Sequence, residues 1–150
     1  SISGLYKKQI KFLMAPEYLS PTYIYGVTFE RGVSISYSDR KHIIISGTAS
    51  INNKGEIMYE RDINLQTERT LTNIQALLKN ENANLDDIMI FVVYVRDPID
   101  WYFVEKKIKS RFKDTPIIFA NASVCRPGWL VEIEGIAVVP SLNSELPSFL

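Results

Sequence analysis

One apolar segment, residues 130–138, constrains the fold more than any other part of the chain. Its β-branched and small residues alternate with period two, which predicts a strand with two distinct faces. One face is small and apolar: Val131, Ile133, Gly135 and Ala137. The other face carries Glu132, Glu134, Ile136 and Val138, so two carboxylates lie roughly 7 Å apart on one side of the sheet. Such an apolar strand is expected inside its sheet, where carboxylates need partners, and this conflict indicates a functional site.

Composition limits the class of protein. The chain has 150 residues, the size of one domain that buries about 70% of its unfolded surface. Seventeen basic residues balance seventeen acidic ones, which disfavours nucleic-acid binding through a basic field but leaves a local patch open. A single cysteine excludes an internal disulfide framework and fits a reducing, cytoplasmic compartment. No apolar run is long enough to span a bilayer, and residues 1–8 lack the pattern of a signal peptide, so no membrane partner is expected.

Two helices are predicted. Asp62 is a good N-cap for the first, in which apolar residues recur at helical spacing up to about Asn80. Asp100 can cap the second, whose buried stripe is Val104, Ile108 and Phe112.

The remaining regular segments read as strands. They are residues 23–29, 33–37, 42–51, 88–96, 116–122 and 130–138. The first two form one bent strand or two short ones, and 8–14 is either a short strand or a helical turn. In 42–51, one face would carry Ile43, Ile45, Gly47 and Ala49, and the other His42, Ile44, Ser46, Thr48 and Ser50. In 88–96, Met89, Phe91, Val93 and Val95 form one of the two alternating sets. Residues 125–128 form a turn, because Pro127 fixes φ and Gly128 tolerates unusual backbone angles.

The order of these elements predicts an α+β fold, a sheet with two helices on one face. We expect an N-terminal arm or linker at 1–22, one domain at 23–139 and an irregular tail at 140–150. Two helices cover only one face of the sheet, and the bare face mixes aliphatic with polar residues. Packing against copies of the same chain would hide the aliphatic residues, so we predict a closed homo-oligomer with sites at its interfaces.

Several motifs together resemble the Rid/YjgF family, also labelled endoribonuclease L-PSP or translation initiation inhibitor. They lie at 45–50, 55–56, 66–74, 93–97 and 131–137, in the order that the family has them. The resemblance implies a chorismate-mutase-like fold and a homotrimer with clefts between subunits. It also implies hydrolysis of reactive enamines and imines, an activity of many members.

A narrower likeness concerns residues 29–32, 46–50 and especially 125–132, which are similar to the C-terminal half of chorismatases, enzymes that release pyruvate from chorismate. This likeness implies that Glu132 is the acid and that Cys125 marks members that make hydroxybenzoates. Deaminating Rid proteins have an arginine just past a proline after the second helix, where this chain has Ile117 after Pro116. A pocket asparagine of the second helix is replaced by Glu105.

Glu132 is the main catalytic candidate. Desolvation on a sheet face and the neighbouring Glu134 would both raise its pKa and keep a proton available near neutral pH. That proton could protonate the methylene carbon of an enolpyruvyl ether. The alternative is a structural carboxylate paired to a neighbouring subunit.

The other candidates each have a structural alternative. Arg126 offers a fork for a substrate carboxylate but could be a solvated turn arginine, and Arg96 and Arg31 are weaker candidates for the same role. Cys125 could be a nucleophile or a small buried residue. Tyr94 and Trp129 could line a pocket for an aromatic ligand or simply pack. Gly47, in mid-strand, suggests close approach by a ligand or a neighbour, and with it Thr48 is assigned to substrate binding.

Three hypotheses follow. The first is a chorismatase-like trimer acting on chorismate or a similar small carboxylate, without cofactor or metal. The second is a Rid enamine or imine deaminase with altered pocket residues. The third is a non-catalytic ligand-binding or structural domain, the remnant of a two-domain enzyme. The only histidine, His42, makes a Ser-His-Asp triad improbable and excludes a His-rich metal site, and no phosphate-cradling glycine pattern is present.

Overall fold

The computed structural model describes residues 7–25 and 29–149, and its centre is a six-stranded mixed sheet. The strands are β1 (Ile10–Phe12), β2 (Gly32–Ser36), β3 (Arg40–Ala49), β4 (Ile88–Val95), β5 (Ile117–Asn121) and β6 (Val131–Pro140). They lie in the order β1-β2-β3-β6-β4-β5. All neighbours are antiparallel except β4 and β5, which are parallel. The predicted segment 130–138 is therefore an internal strand, between β3 and β4.

Two helices, α1 (Ile63–Lys79) and α2 (Trp101–Arg111), pack on one face of the sheet. Alternate β6 residues Val131, Ile133 and Ala137 are fully buried in the same core as Ile74 of α1 and Ile108 of α2. The period-two pattern of β6 thus separates an inner, helix-covered face from an outer face. The predicted α+β fold, a mixed sheet with two helices on one face, is confirmed.

The two helices begin differently. Asp62 caps α1 as predicted, since its side chain accepts a hydrogen bond from the backbone N–H of Leu65 at 2.9 Å. Asp100 precedes α2 but makes no capping bond, so the predicted cap is wrong. The reason is a 3₁₀ turn, Pro98–Asp100, that runs directly into α2 and is capped by Asp97 instead.

Two β-bulges change which side chains face the helices. In β3 the pairing with β6 shifts between Ile45 and Thr48, so Thr48 lies opposite Ile133 and joins the inner face, while Ala49 lies opposite Glu132. The predicted faces of Gly47, Thr48 and Ala49 are therefore wrong, since Gly47 lies against Glu132 on the outer face. In β4 the register shifts between Ile88 and Ile90, so Ile88 takes the inner position and Met89 is exposed. One extra residue is enough to reverse the alternation that follows it.

The N-terminal segment packs onto the sheet. β1 pairs with β2, while Leu13 and Leu19 are buried in the core. A short 3₁₀ helix, Thr22–Tyr25, occupies the start of the predicted strand 23–29, so that prediction is wrong for residues 23–25. Residues 26–28 of the same prediction lie outside the described residues.

Glu81, at the end of α1, ties the N-terminal segment to the sheet. It is almost fully buried and forms ion pairs with Lys11 of β1 and Lys41 of β3, at 2.5 and 3.0 Å. Burial acts to raise the pKa of Glu81, but the bonds to the two lysines outweigh it and the pKa is lowered.

The tail after β6 is irregular and returns to the sheet. The backbone N–H of Ser38 donates to the carbonyl of Pro147 at 3.0 Å, and the Phe149 ring lies against Tyr37 and His42. Across residues 7–25 and 29–149, we find no helix with the length and hydrophobicity needed to cross a membrane.

Candidate functional site

A cavity of about 350 Å³ lies on the outer face of the sheet, where β3 and β6 meet the turn that leads into β6. It gathers five of the eight residues that the sequence nominates: Arg31, Gly47, Cys125, Arg126 and Glu132. The rest of the wall is Phe29, Ser46, Ala49, Ile51 and Trp129. Its size is within the range of small-molecule sites, and its wall combines apolar surface with a few convergent charged groups.

Glu132 reaches this cavity from the middle of the sheet. Strand pairing places it between Ala49 of β3 and Tyr94 of β4. Its carboxyl group lies over Gly47, so closely that a Cβ atom on Gly47 would overlap Oε1. The glycine in mid-strand therefore makes room for a side chain of the neighbouring strand, which is one of the two readings that its position allowed.

The surroundings of Glu132 favour its protonated form. Burial raises the pKa of its carboxyl group, and the negative charge of Glu134, two residues along the same face, raises it further. The Tyr94 hydroxyl donates to Glu134 at 3.3 Å. Its own pKa is raised, by burial first and then by the charge of Glu134. Tyr94 therefore contacts Glu134 on the outer face and does not line the cavity.

The turn before β6 is held by Arg96, at the end of β4. Its guanidinium donates to three backbone carbonyls, of Val124 at 2.5 Å, Arg126 at 2.7 Å and Trp129 at 2.7 Å. These bonds use the guanidinium fork on the backbone of the turn. Arg96 thus holds the backbone of the turn and is not in the wall of the cavity, in contrast to the substrate-binding role that the sequence suggests.

A second support for the turn, Gln66, was not recognised as such from the sequence. Its side chain is fully buried in α1, donates to the carbonyls of Gly128 and Tyr59, and accepts from the backbone N–H of Leu130. These bonds tie the turn to the loop before α1. Glutamine occurs often on helices, and nothing local distinguishes one that satisfies backbone groups 62 residues away.

The two arginines of the cavity are both anchored to the backbone. Arg126 donates to the carbonyl of Gly55 at 3.0 Å, and its guanidinium lies 5.0 Å from the Trp129 ring centroid. Arg31 is 7% exposed and donates to the carbonyl of Ser20 through Nε at 3.3 Å and Nη2 at 2.9 Å. Guanidinium groups that are already held in place suit recognition of a carboxylate, because their planar fork can donate two parallel hydrogen bonds to it.

The two remaining candidates differ in position. Cys125 lines the cavity and is exposed, so it is not the small buried residue that was the alternative. Thr48 is almost fully buried on the inner face, where its hydroxyl donates to the carbonyl of Ser46 at 2.9 Å. The bulge in β3 therefore removes Thr48 from the cavity and brings in Ala49.

The cavity offers a half-buried carboxyl group whose pKa is raised, two guanidinium groups, a thiol and two aromatic side chains. In the part of the chain that the structure describes, no three His, Cys, Asp or Glu side chains are grouped closely enough to hold a metal ion. The chemistry that these groups can perform is proton transfer to a bound anion.

Comparison with known proteins relates this chain to a family. The model of the family described as endoribonuclease L-PSP matches residues 32–139. A RutC family protein of Pyrococcus abyssi is 28% identical over 97 residues, which are 63% of this chain and 76% of that protein.

Solved structures share the fold at low identity. A Rid family protein, YyfA from Yersinia pestis, is 24% identical with a TM-score of 0.72, covering 87% of this chain and 99% of its own. RidA from an Antarctic Psychrobacter is 18% identical, with a TM-score of 0.70 and coverage of 86% and 99%. A chorismatase is 21% identical with a TM-score of 0.74, and the match covers 85% of this chain but only 43% of the chorismatase.

Proposed function

The chain belongs to the endoribonuclease L-PSP, or Rid/YjgF, family, and on that basis we propose that it is a small-molecule enzyme in which Glu132 protonates an enol ether. The proposed substrate is chorismate or a related enol-ether carboxylate, and the proposed product is pyruvate. The observation that carries the proposal is the half-buried Glu132 side chain, which lines a cavity with two anchored arginines and whose pKa is raised by burial and by Glu134.

In the proposed reaction, Arg126 and Arg31 bind the carboxylates of the substrate. The protonated Glu132 donates its proton to the methylene carbon of the enolpyruvyl group, and the electron pair of the double bond forms the new C–H bond. The resulting oxocarbenium ion adds water at its cationic carbon. The hemiketal then breaks its bond to the ring oxygen, which releases pyruvate and the ring alcohol and returns a proton to Glu132.

The chorismatase in the structural comparison supports this assignment of substrate class, together with the resemblance of residues 125–132. In that resemblance Cys125 distinguishes members that form hydroxybenzoates, so we propose that it influences the fate of the ring product. The reaction needs no metal or cofactor, because the acid and the cations are supplied by side chains.

The second candidate is an enamine or imine deaminase, favoured by membership of the family itself. The third, a non-catalytic ligand-binding domain, is favoured by the match to the chorismatase, which covers only 43% of that enzyme. The three differ in product. Pyruvate from chorismate supports the first, ammonia from an imino acid supports the second, and neither product with ligand bound in the cavity supports the third.

We also propose that the outer face of the sheet packs against copies of this chain, as a homotrimer. Ile44 and Ile136 lie opposite each other there and are 37% and 40% exposed, and Met89 and Ile118 are more exposed still. Self-association would bury this surface and close the open side of the cavity. Light scattering after gel filtration tests it: a trimer is expected, and a lone subunit would contradict it.

The direct test of the enzyme is pyruvate release from chorismate, followed with lactate dehydrogenase. Glu132→Gln keeps the shape of the side chain and removes the transferable proton, so the rate is expected to fall about 10²- to 10⁴-fold. Glu60→Gln, at an exposed position outside the cavity, is the matched control and should keep the wild-type rate. Unchanged turnover in Glu132→Gln would remove Glu132 from the role of acid.

A further inference from the structure

Three side chains of the cavity wall, Cys125, Arg126 and Trp129, come from one turn, residues 124–130. This turn precedes the regular strand pairing, since β6 begins at Val131. Inside the turn, the backbone N–H of Trp129 donates to the carbonyl of Arg126 at 3.0 Å. Bonds from other parts of the chain fix the rest of its shape, and with it the positions of Arg126 and Trp129.

Gln66 of α1 supplies two of these bonds with a single side-chain amide. Its Nε2 donates to the carbonyl of Gly128 at 2.9 Å, and its Oε1 accepts from the backbone N–H of Leu130 at 2.9 Å. The side chain is fully buried. An amide has both a donor and an acceptor, so it satisfies both backbone groups, which an apolar side chain of the same length cannot do. Without the amide these groups would lose their partner, and the turn would be free to leave this conformation.

The same amide connects the turn to a strained residue in the loop before α1. Nε2 of Gln66 also donates to the carbonyl of Tyr59 at 3.2 Å. Tyr59 has a φ of 59°, in the left-handed region that aromatic residues rarely adopt. Such strain persists where surrounding contacts hold it, and it is common at functional sites. The loop meets the turn again at Gly55, whose carbonyl accepts from Arg126.

The position of the acid has a different origin. Glu132 is within the strand pairing of the sheet, between Ala49 of β3 and Tyr94 of β4. The sheet therefore places Glu132, whereas the turn and Gln66 place Arg126. A change at Gln66 is expected to move the cation without moving the acid.

We propose that Gln66 is a positioning residue for substrate binding, which acts through the turn by holding Arg126 and Trp129 at the correct distance from Glu132. The inference rests on the proposed function, in which Arg126 binds a substrate carboxylate. That carboxylate keeps its charge from the bound substrate to the transition state, so its contact with Arg126 stabilises both equally. Loss of the Gln66 amide is therefore expected to raise KM and to leave kcat nearly unchanged.

Gln66→Met tests this in the pyruvate-release assay, because methionine keeps the length and helix propensity of the side chain and removes both bonding groups. A weakened bond to a charged group predicts that KM for chorismate rises about 10- to 100-fold. The pH profile of kcat should stay that of the wild type. Leu77→Ala is the matched control: Leu77 is fully buried in the same helix, about 16 Å further along it, and its loss lowers stability. This control should keep the wild-type KM.

A second measurement reports the turn without any reaction. The chain has two tryptophans, Trp129 in the turn and Trp101 at the start of α2, and both can be replaced with 5-fluorotryptophan. In Gln66→Met, the ¹⁹F line of Trp129 should move or broaden while the line of Trp101 keeps its position, which also shows that the variant is folded. Trp101→Phe identifies the two lines. Gln66→Glu, which removes the amide donor to Gly128, is a second variant with the same expected direction.

Chorismate binding separates this inference from the proposed reaction. It is followed through the Trp129 line in Glu132→Gln, where the substrate persists, and adding Gln66→Met should weaken it by the same factor. Binding that weakens in this way, with no pyruvate released by the wild type, would overturn the reaction and support the positioning role. Absence of chorismate binding would overturn both.

Three results would overturn the positioning role alone. In one, the Trp129 line is the same in Gln66→Met as in the wild type. In the second, KM rises equally in Leu77→Ala, so that any loss of stability has the same effect. In the third, kcat falls and KM is unchanged, which would mean that Gln66 acts on the acid and not on the cation.

Discussion

Replacing Gly47 with alanine should separate turnover from stability. A Cβ atom at this position overlaps Oε1 of Glu132 and comes within 3.0 Å of its carboxyl carbon. The overlapping atoms are the far end of a flexible side chain, so the strand itself is not forced apart. Relief comes from a movement of the carboxyl group on the order of 1 Å, away from β3.

The structure gives the size of both effects. A displacement of this size at a reacting group lowers a rate by about 10²-fold, equal to about 2.7 kcal/mol in the activation free energy. An unfavourable rotamer of Glu132 costs about 0.5–1.5 kcal/mol of folding stability. Replacing a glycine within a strand by alanine raises the folding stability by about 0.5–1 kcal/mol. The free energy of unfolding should therefore change by less than about 1 kcal/mol, and Tm by less than about 4 °C.

The assay is pyruvate release from chorismate, with Tm measured on the same samples. Gly135→Ala is the matched control, because Gly135 is also in mid-strand, but its Cβ would face Ile88 on the inner side, at 3.3 Å from Cδ1. Gly135→Ala should keep its turnover within a few-fold. The reasoning is refuted if Gly47→Ala turns over at the wild-type rate, or if both variants lose activity equally.

Three further predictions concern stability. Burial and Glu134 raise the pKa of Glu132 in the folded state, so the stabilising contribution of this side chain is present below the unfolded pKa and is lost as pH rises through the folded one. In chemical denaturation, Glu132→Gln should therefore match the wild type at acid pH and be more stable near neutral pH. A difference in stability that stays constant with pH would contradict this. The pKa of Glu81 is lowered by its lysine partners, so its stabilising contribution is present above the unfolded pKa and is lost as pH falls through the folded one. Glu81→Gln should therefore lower the free energy of unfolding by about 1–2 kcal/mol at neutral pH and by little in acid. Arg96→Gln should cost about 2 kcal/mol and lower Tm by about 4–8 °C through loss of the turn, whereas Arg111→Gln on the exposed side of α2 should leave Tm unchanged.

Much of the fold follows from local sequence patterns. The helical spacing of Leu71, Ile74, Leu77 and Leu78 predicts α1, and all four are buried in the core. The alternation in β6 predicts both faces of that strand, because no bulge interrupts its inner set. The site followed from the same alternation, since a carboxylate at the middle of an internal strand has few ways to be solvated.

The parts that local patterns missed depend on distant partners. Thr48 faces the helices because β3 has one extra residue relative to β6. A period-two pattern in the sequence does not show where such a bulge occurs. The guanidinium group of Arg96 suits a substrate carboxylate, but in the structure it binds a turn about thirty residues further along the chain, which local sequence does not reveal. Residues 23–25 have strand propensity, but in the structure they belong to a short 3₁₀ helix.

The pKa of the Glu132 carboxyl group is the measurement that tests the account most directly. It can be followed by ¹³C NMR of side-chain carboxyl groups during a pH titration, with Glu132→Gln identifying the resonance. The account predicts a midpoint above the ordinary range of glutamate, and a lower one in Glu134→Gln, because part of the shift comes from the neighbouring charge. A midpoint within the ordinary range, unaffected by Glu134, would mean that this side chain is solvated and holds no proton for catalysis near neutral pH.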